Sequence, residues 1–119
     1  MLIQGSEDDD SVGIYSLLLT EFATCEEVFN EFNHEGGGYD WESMIKYVLE
    51  TKHRNLSKTV EFDSEASMFC AYSQDKESLE KVEEIINRLI DDHTELRQAI
   101  SSVPEDKWWN WKRKELFEQ

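Results

Sequence analysis

Residues 11–19 constrain the fold most, because this segment is apolar on both sides when it is read as a strand. One side carries Val12, Ile14, Ser16 and Leu18, and the other side carries Tyr15, Leu17 and Leu19. Alternation with a period of two predicts a β-strand. Since both sides are largely apolar, we predict that it is a central strand of a small sheet.

Two helical patterns follow, separated by three consecutive glycines at positions 36–38. Thr24 and Glu27 have the spacing of a capping box, which predicts that Thr24 opens the first helix. Asp40 is predicted as the N-cap of the second helix, since its carboxylate can accept unpaired backbone amides. Apolar residues recur at helical spacing in both segments. The predicted buried stripes are Cys25, Val28, Phe29 and Phe32 in the first helix and Trp41, Met44, Ile45, Val48 and Leu49 in the second.

A β-hairpin is predicted over residues 59–62 and 67–73. Both segments are rich in β-formers, and residues 63–66 between them have the composition of a turn. The two strands are therefore predicted to be antiparallel.

Three further helices are predicted towards the C-terminus. Asp75 is predicted to cap the first of them, and Asp92 with Glu95 gives a second capping signal. The apolar register continues through His93, so one long helix is the alternative to a break before Asp92. The last predicted helix covers residues 108–117.

This order of elements predicts an α+β fold, in which a small antiparallel sheet of about three strands packs against four to five helices. Residues 11–119 are predicted to form a single domain with a tryptophan-rich basic helix at its C-terminal end. Residues 1–10 are predicted to be an acidic, mobile segment outside that domain.

Charge is distributed unevenly along the chain. The net charge is −15, and the first basic residue is Lys46. Residues 1–45 carry 11 acidic side chains, whereas residues 46–119 carry 16 acidic and 12 basic ones. Such a surface repels nucleic acid and anionic membranes, and it attracts a basic protein. A basic protein partner is therefore predicted, and an acidic face kept only for solubility is the alternative.

No pattern for catalysis or metal binding stands out. Asp8 and Asp10 begin an arrangement similar to a calcium loop, but an apolar residue occupies a ligand position and the bidentate glutamate is missing. The three histidines lie far apart, and neither Cys25 nor Cys70 has CxxC spacing. We predict a cytoplasmic protein with reduced thiols and no catalytic residues, metal or cofactor. No secretory signal or membrane-spanning segment is predicted either.

Two other segments admit a functional and a structural interpretation. The glycines precede a helix as phosphate-binding loops do, but Glu35 and Asp40 flank them with negative charge, so we interpret them as a flexible or close-approach turn that presents Tyr39 and Asp40. Residues 107–114 are basic and carry three tryptophans. They resemble a nucleic-acid or membrane-surface element, but docking of these tryptophans on the acidic domain is favoured.

Residues 37–41 (GGYDW) and 62–73 (FDSEASMFCAYS), followed by the helix from Asp75, resemble the Imm-fifty-one family of bacterial immunity proteins. The resemblance covers residues 12–95. It implies a small α+β domain without enzymatic activity that binds a cognate toxin, of the kind delivered in contact-dependent or polymorphic toxin systems during competition between bacteria.

The resulting hypothesis is a monomeric immunity protein. Its predicted partner is a basic toxin domain, a nuclease, whose active site or substrate groove an acidic surface would occlude. The alternative is an acidic regulatory module that binds proteins within a cytoplasmic assembly. The predicted partner-binding residues are Glu26, Glu27, Glu31, Glu35, Tyr39, Asp40 and Glu42, with Asp63 and Glu65 as the second choice.

Overall fold

The computed structural model describes residues 2–5 and 14–108. In these residues, a four-stranded antiparallel sheet packs against five α-helices and a short 3-10 helix, which confirms the α+β prediction. In chain order the elements are β1 (Leu2–Gly5), β2 (Tyr15–Leu19), α1 (Ala23–Asn30), α2 (Gly38–Lys52), α3 (Arg54–Thr59), β3 (Glu61–Phe62), β4 (Phe69–Ser73), α4 (Lys76–Asp91), α5 (His93–Ser102) and the 3-10 helix Glu105–Lys107.

The sheet has the strand order β1-β2-β4-β3, so β2 is central, as predicted. Its register pairs Leu17 with Ala71 and Leu19 with Phe69, and these four side chains are buried on one face. Helices α2 and α4 pack against that face. The domain is therefore built as helices on one face of a small antiparallel sheet.

Strand β1 lies in the segment that the sequence analysis assigns to a separate N-terminal region. All four residues of β1 pair with β2, from Leu2 opposite Leu18 to Gly5 opposite Tyr15. These residues are therefore part of the sheet. So short a segment beside an acidic run has too few residues to display a strand period.

The helix caps are partly as predicted. Asp75 and Asp92 each accept backbone amides at the start of α4 and α5, and the helices break before Asp92 as preferred. The prediction for Thr24 is wrong, because α1 begins at Ala23 after Phe22 and has no side-chain cap. The side chain of Phe22 is buried in the core, and this burial fixes the entry of the chain into α1.

The β3–β4 hairpin is antiparallel, as predicted, but its first strand is shorter. Residues 54–59 form α3, which was not predicted, and the amide of Val60 still donates to Leu56 O. Only Glu61 and Phe62 are left to pair with β4. The predicted helix over residues 108–117 lies outside the described residues except for Trp108.

The buried residues of the predicted α1 and α2 stripes belong to one core cluster together with those of the sheet. Phe29, Trp41 and Phe69 are completely buried, and Phe32 and Val48 are half-buried at the edge. The predicted core stripes of α1 and α2 are thus largely confirmed.

In the described part of the chain, no helix has the length and apolar character needed to cross a membrane.

Candidate functional site

The glycine turn, residues 36–38, packs closely against α1 on one side. Gly36 has a φ of 82°, and a Cβ at this position would lie 3.2 Å from Glu26 Cα and 3.1 Å from Phe29 Cβ. Both the left-handed backbone and the close approach require glycine. The glycine turn is therefore held directly against α1, between Glu26 and Phe29.

On its other side, the glycine turn packs against the β3–β4 loop, residues 63–68. The amide of Gly38 donates to Ala66 O at 3.0 Å. A Cβ on Gly37 would lie 2.5 Å from Ala66 O, and one on Gly38 would overlap the carbonyl oxygens of Glu65 and Met68. The interpretation of the glycines as a close-approach turn is confirmed.

Glu42 fastens α2 to the same loop. Its Oε1 accepts the Ser64 amide at 3.1 Å, and its side chain is half-buried. Ser64 stands between Asp63 and Glu65, so this bond joins Glu42 to the acidic part of the loop. Burial is the main cause that raises the pKa of the nearby Cys70 thiol, and the charges of these three carboxylates raise it further. The first-choice and second-choice predicted sites are thus neighbours.

We define the junction surface as five acidic residues on the segments that meet at the glycine turn, which are α1, the residue before the turn, α2 and the β3–β4 loop. All of them except Glu42 are exposed. The junction surface consists of Glu26, Glu35, Glu42, Asp63 and Glu65.

Asp40 lies in the same region, but its carboxylate is mostly buried and accepts a hydrogen bond from the backbone of the glycine turn. The prediction that it is the N-cap of α2 is wrong, because Gly37 occupies that position. Asp40 is in the first helical turn, and its Oδ2 accepts the Gly36 amide at 2.7 Å. Its side chain is only 13% exposed, and burial raises its pKa, with Glu35 adding to the rise and the Gly36 amide and His34 opposing it.

Glu31 is neutralised by a partner that the sequence analysis missed. Arg97 on α5 forms a bidentate ion pair with it, Nε to Oε1 and Nη2 to Oε2, both at 3.0 Å. The hydrogen bonds from Arg97 are the main cause that lowers the pKa of the Glu31 carboxyl. The charge of residues 1–45 is therefore not wholly unopposed in the fold.

The remaining predicted residues take different positions. Glu27 is exposed on α1, and Tyr39 is half-buried in the first turn of α2. Trp108 stacks on His34, with ring centroids 3.9 Å apart, so docking on the domain holds for this tryptophan. Trp109 and Trp111 lie outside the described residues.

Two grooves of the described residues are not lined by the glycine turn. One has a volume of about 670 Å³, and its lining includes the charged residues Lys58, Glu61 and Asp75. A groove of about 320 Å³ between α2 and β3 includes Glu42 and Lys46. Across residues 2–5 and 14–108, no three His, Cys, Asp or Glu side chains are grouped so that they could hold a metal ion.

Comparison with known proteins gives one family. The family model described as Immunity protein 51 matches residues 4–104, a span that includes the whole junction surface and ends before Trp108. No curated protein and no solved structure matches the chain significantly. The family match supports an immunity function, exerted by binding a cognate toxin.

Proposed function

The chain belongs to the Immunity protein 51 family, and from that premise we propose that it neutralises its cognate toxin by binding it through the junction surface. The proposed toxin domain is a basic nuclease, and the immunity protein acts on it as a cytoplasmic monomer without chemistry of its own. Carboxylates of the junction surface occupy or cover the groove in which the nuclease would bind phosphates. Family membership favours this function over a regulatory module.

The observation that carries the proposal is that three elements which carry acidic residues meet at the glycine turn. Glu26 comes from α1, Glu42 from α2 and Glu65 from the β3–β4 loop. At Gly36 and Gly38 these elements pack so closely that there is no space for a Cβ. A surface that is rigid before binding loses less conformational entropy when the partner docks.

The members of the junction surface differ in how much charge they can offer a partner. Glu42 is half-buried and already accepts the Ser64 amide. Glu35 and Glu65 are exposed at opposite sides of the glycine turn. Glu31 is the weaker candidate, because Arg97 already compensates its charge. Glu35 and Glu65 are therefore the best residues to test.

The first experiment establishes the partner. A large secreted protein encoded beside this gene, with a basic C-terminal domain, is the expected toxin, and that domain should co-purify with the immunity protein and lose its activity. If the purified domain remains active and unbound at micromolar concentrations of both proteins, the proposed function is wrong.

The second experiment tests the surface with matched charge. The variant Glu35→Lys/Glu65→Lys should weaken binding of that domain by about 100- to 1,000-fold, if both carboxylates face basic side chains across a desolvated contact. The control Glu80→Lys/Glu84→Lys makes the same change in net charge at exposed positions of α4. Circular dichroism should show both variants folded. Equal losses of affinity in the two variants would mean that only overall charge matters, and the junction surface would not be the site.

A further inference from the structure

Trp108 lies beyond residues 4–104, which the family model matches, and it contacts the loop that leads into the glycine turn. Its ring stacks on His34 at a centroid distance of 3.9 Å and an interplanar angle of 31°. Its edge also meets Phe29 of α1, at 6.4 Å and nearly perpendicular. Two aromatic contacts therefore tie the end of the described chain to residues 29–34.

His34 connects this tryptophan to the backbone of the glycine turn. His34 Nδ1 lies 3.7 Å from Asp40 Oδ1, and the other oxygen of Asp40 accepts the Gly36 amide at 2.7 Å. Gly36 in turn rests on α1 beside Glu26. A continuous series of contacts therefore runs from Trp108 through His34 and Asp40 to the junction surface.

The loop itself provides little to hold His34 in place. The preceding residue, Asn33, is in the left-handed region with a φ of 65°, as is Gly36 with a φ of 82°. The His34 amide donates to Phe29 O, but its side chain is positioned by the Trp108 ring stacked on it and by Asp40 beside its Nδ1. Removing Trp108 would leave the imidazole with one of these two contacts.

We propose that Trp108 is a positioning residue for toxin binding, which acts through His34 to fix the glycine turn and thereby the carboxylates of the junction surface. The inference rests on the proposed function. It assigns to a residue outside the matched range 4–104 a role in the affinity of this chain for its toxin.

The test is a double-mutant cycle with Trp108→Ala, His34→Ala and the double variant. In the free protein, hydrogen exchange of the Gly36 amide should become about three- to tenfold faster in Trp108→Ala. Affinity for the basic domain encoded beside the gene should fall about three- to tenfold, and the double variant should lose no more than the worse single variant. The variant Trp108→Phe, which keeps an aromatic ring, should restore both values, and Lys107→Ala serves as the exposed neighbouring control.

Several outcomes would overturn the inference. An unchanged Gly36 exchange rate in Trp108→Ala would show that the ring does not hold the turn. Losses of affinity that multiply in the double variant would show that Trp108 and His34 act independently. If the wild-type protein does not bind the domain, the proposed function fails, whereas the Gly36 exchange measurement on the free protein still decides whether Trp108 positions the turn.

Discussion

Gly38→Ala is the substitution that most directly tests the packing at the glycine turn. The added methyl group would overlap the carbonyl oxygens of Glu65 and Met68. Both oxygens belong to backbone that is closed by mutual hydrogen bonds between these two residues. The overlap therefore cannot be relieved by moving a flexible side chain, and the β3–β4 loop must separate from α2.

The expected loss of stability follows from three contributions. Overpacking of this kind costs about 1–3 kcal/mol, and loss of the bond from Gly38 to Ala66 O adds about 1 kcal/mol. Alanine in a helix regains about 0.5–1 kcal/mol relative to glycine. The free energy of unfolding should thus fall by about 1–3.5 kcal/mol, a large part of the about 5–15 kcal/mol of an ordinary domain.

Urea denaturation of Gly38→Ala and of the wild type measures this loss. The control is Asn87→Ala at an exposed position in the middle of α4, where helix propensity improves and nothing is overlapped. The control should be as stable as the wild type or slightly more stable. If Gly38→Ala matches the control, the loop does not rest on α2 as described, and the convergence of carboxylates at the junction surface loses its basis.

Three further predictions address the core, the titration of the turn and the encounter with the toxin. Trp41→Ala should lower the free energy of unfolding by about 3–5 kcal/mol, because the ring is fully buried and 5.5 Å from that of Phe29; an unchanged midpoint in urea would place this ring outside the core. Asp40 takes up a proton more readily in the folded protein than in the unfolded one, so stability should fall as pH rises from the ordinary carboxyl pKa through the raised pKa. Asp40→Asn should remove that slope in urea titrations between pH 3 and 7, and an identical slope in both proteins would exclude Asp40 as its source. Association with the toxin domain should be about 10- to 1,000-fold faster at low than at high salt, and stopped-flow rates that do not depend on salt would rule out electrostatic capture.

Features set by neighbouring residues could be predicted from the sequence. The caps at Asp75 and Asp92 depend on side chains that bond amides two or three positions ahead. The buried stripes of α1 and α2 depend on a period that recurs within one element. Each of these patterns lies within about a dozen consecutive residues, so it can be recognised from the sequence alone.

Features set by tertiary contacts could not be predicted in this way. The carboxylate of Glu31 meets Arg97 66 positions further along the chain, and nothing near either residue signals the pair. Helix α1 begins at Ala23, before the predicted cap Thr24, because the side chain of Phe22 is buried in the core. By local sequence alone, Thr24 is the better capping residue. At the candidate site, the acidic residues were evident from the sequence, but only the contact of Gly38 with the β3–β4 loop showed that the segments of the two predicted sites are neighbours.

The pairing of β2 with β4 has a consequence for how quickly a newly made chain can act. Leu19 pairs with Phe69 and Tyr15 with Ser73, so the centre of the sheet joins segments that are separated by three helices. Closing so long a loop costs conformational entropy before the stabilising contacts form. Pairing between strands that are far apart in the sequence therefore slows folding. A ribosome must therefore have released residue 73 before the central pair can form. We expect the delay between synthesis and protection of the cell to be set by this closure, and nascent chains that stop short of β4 to give no immunity.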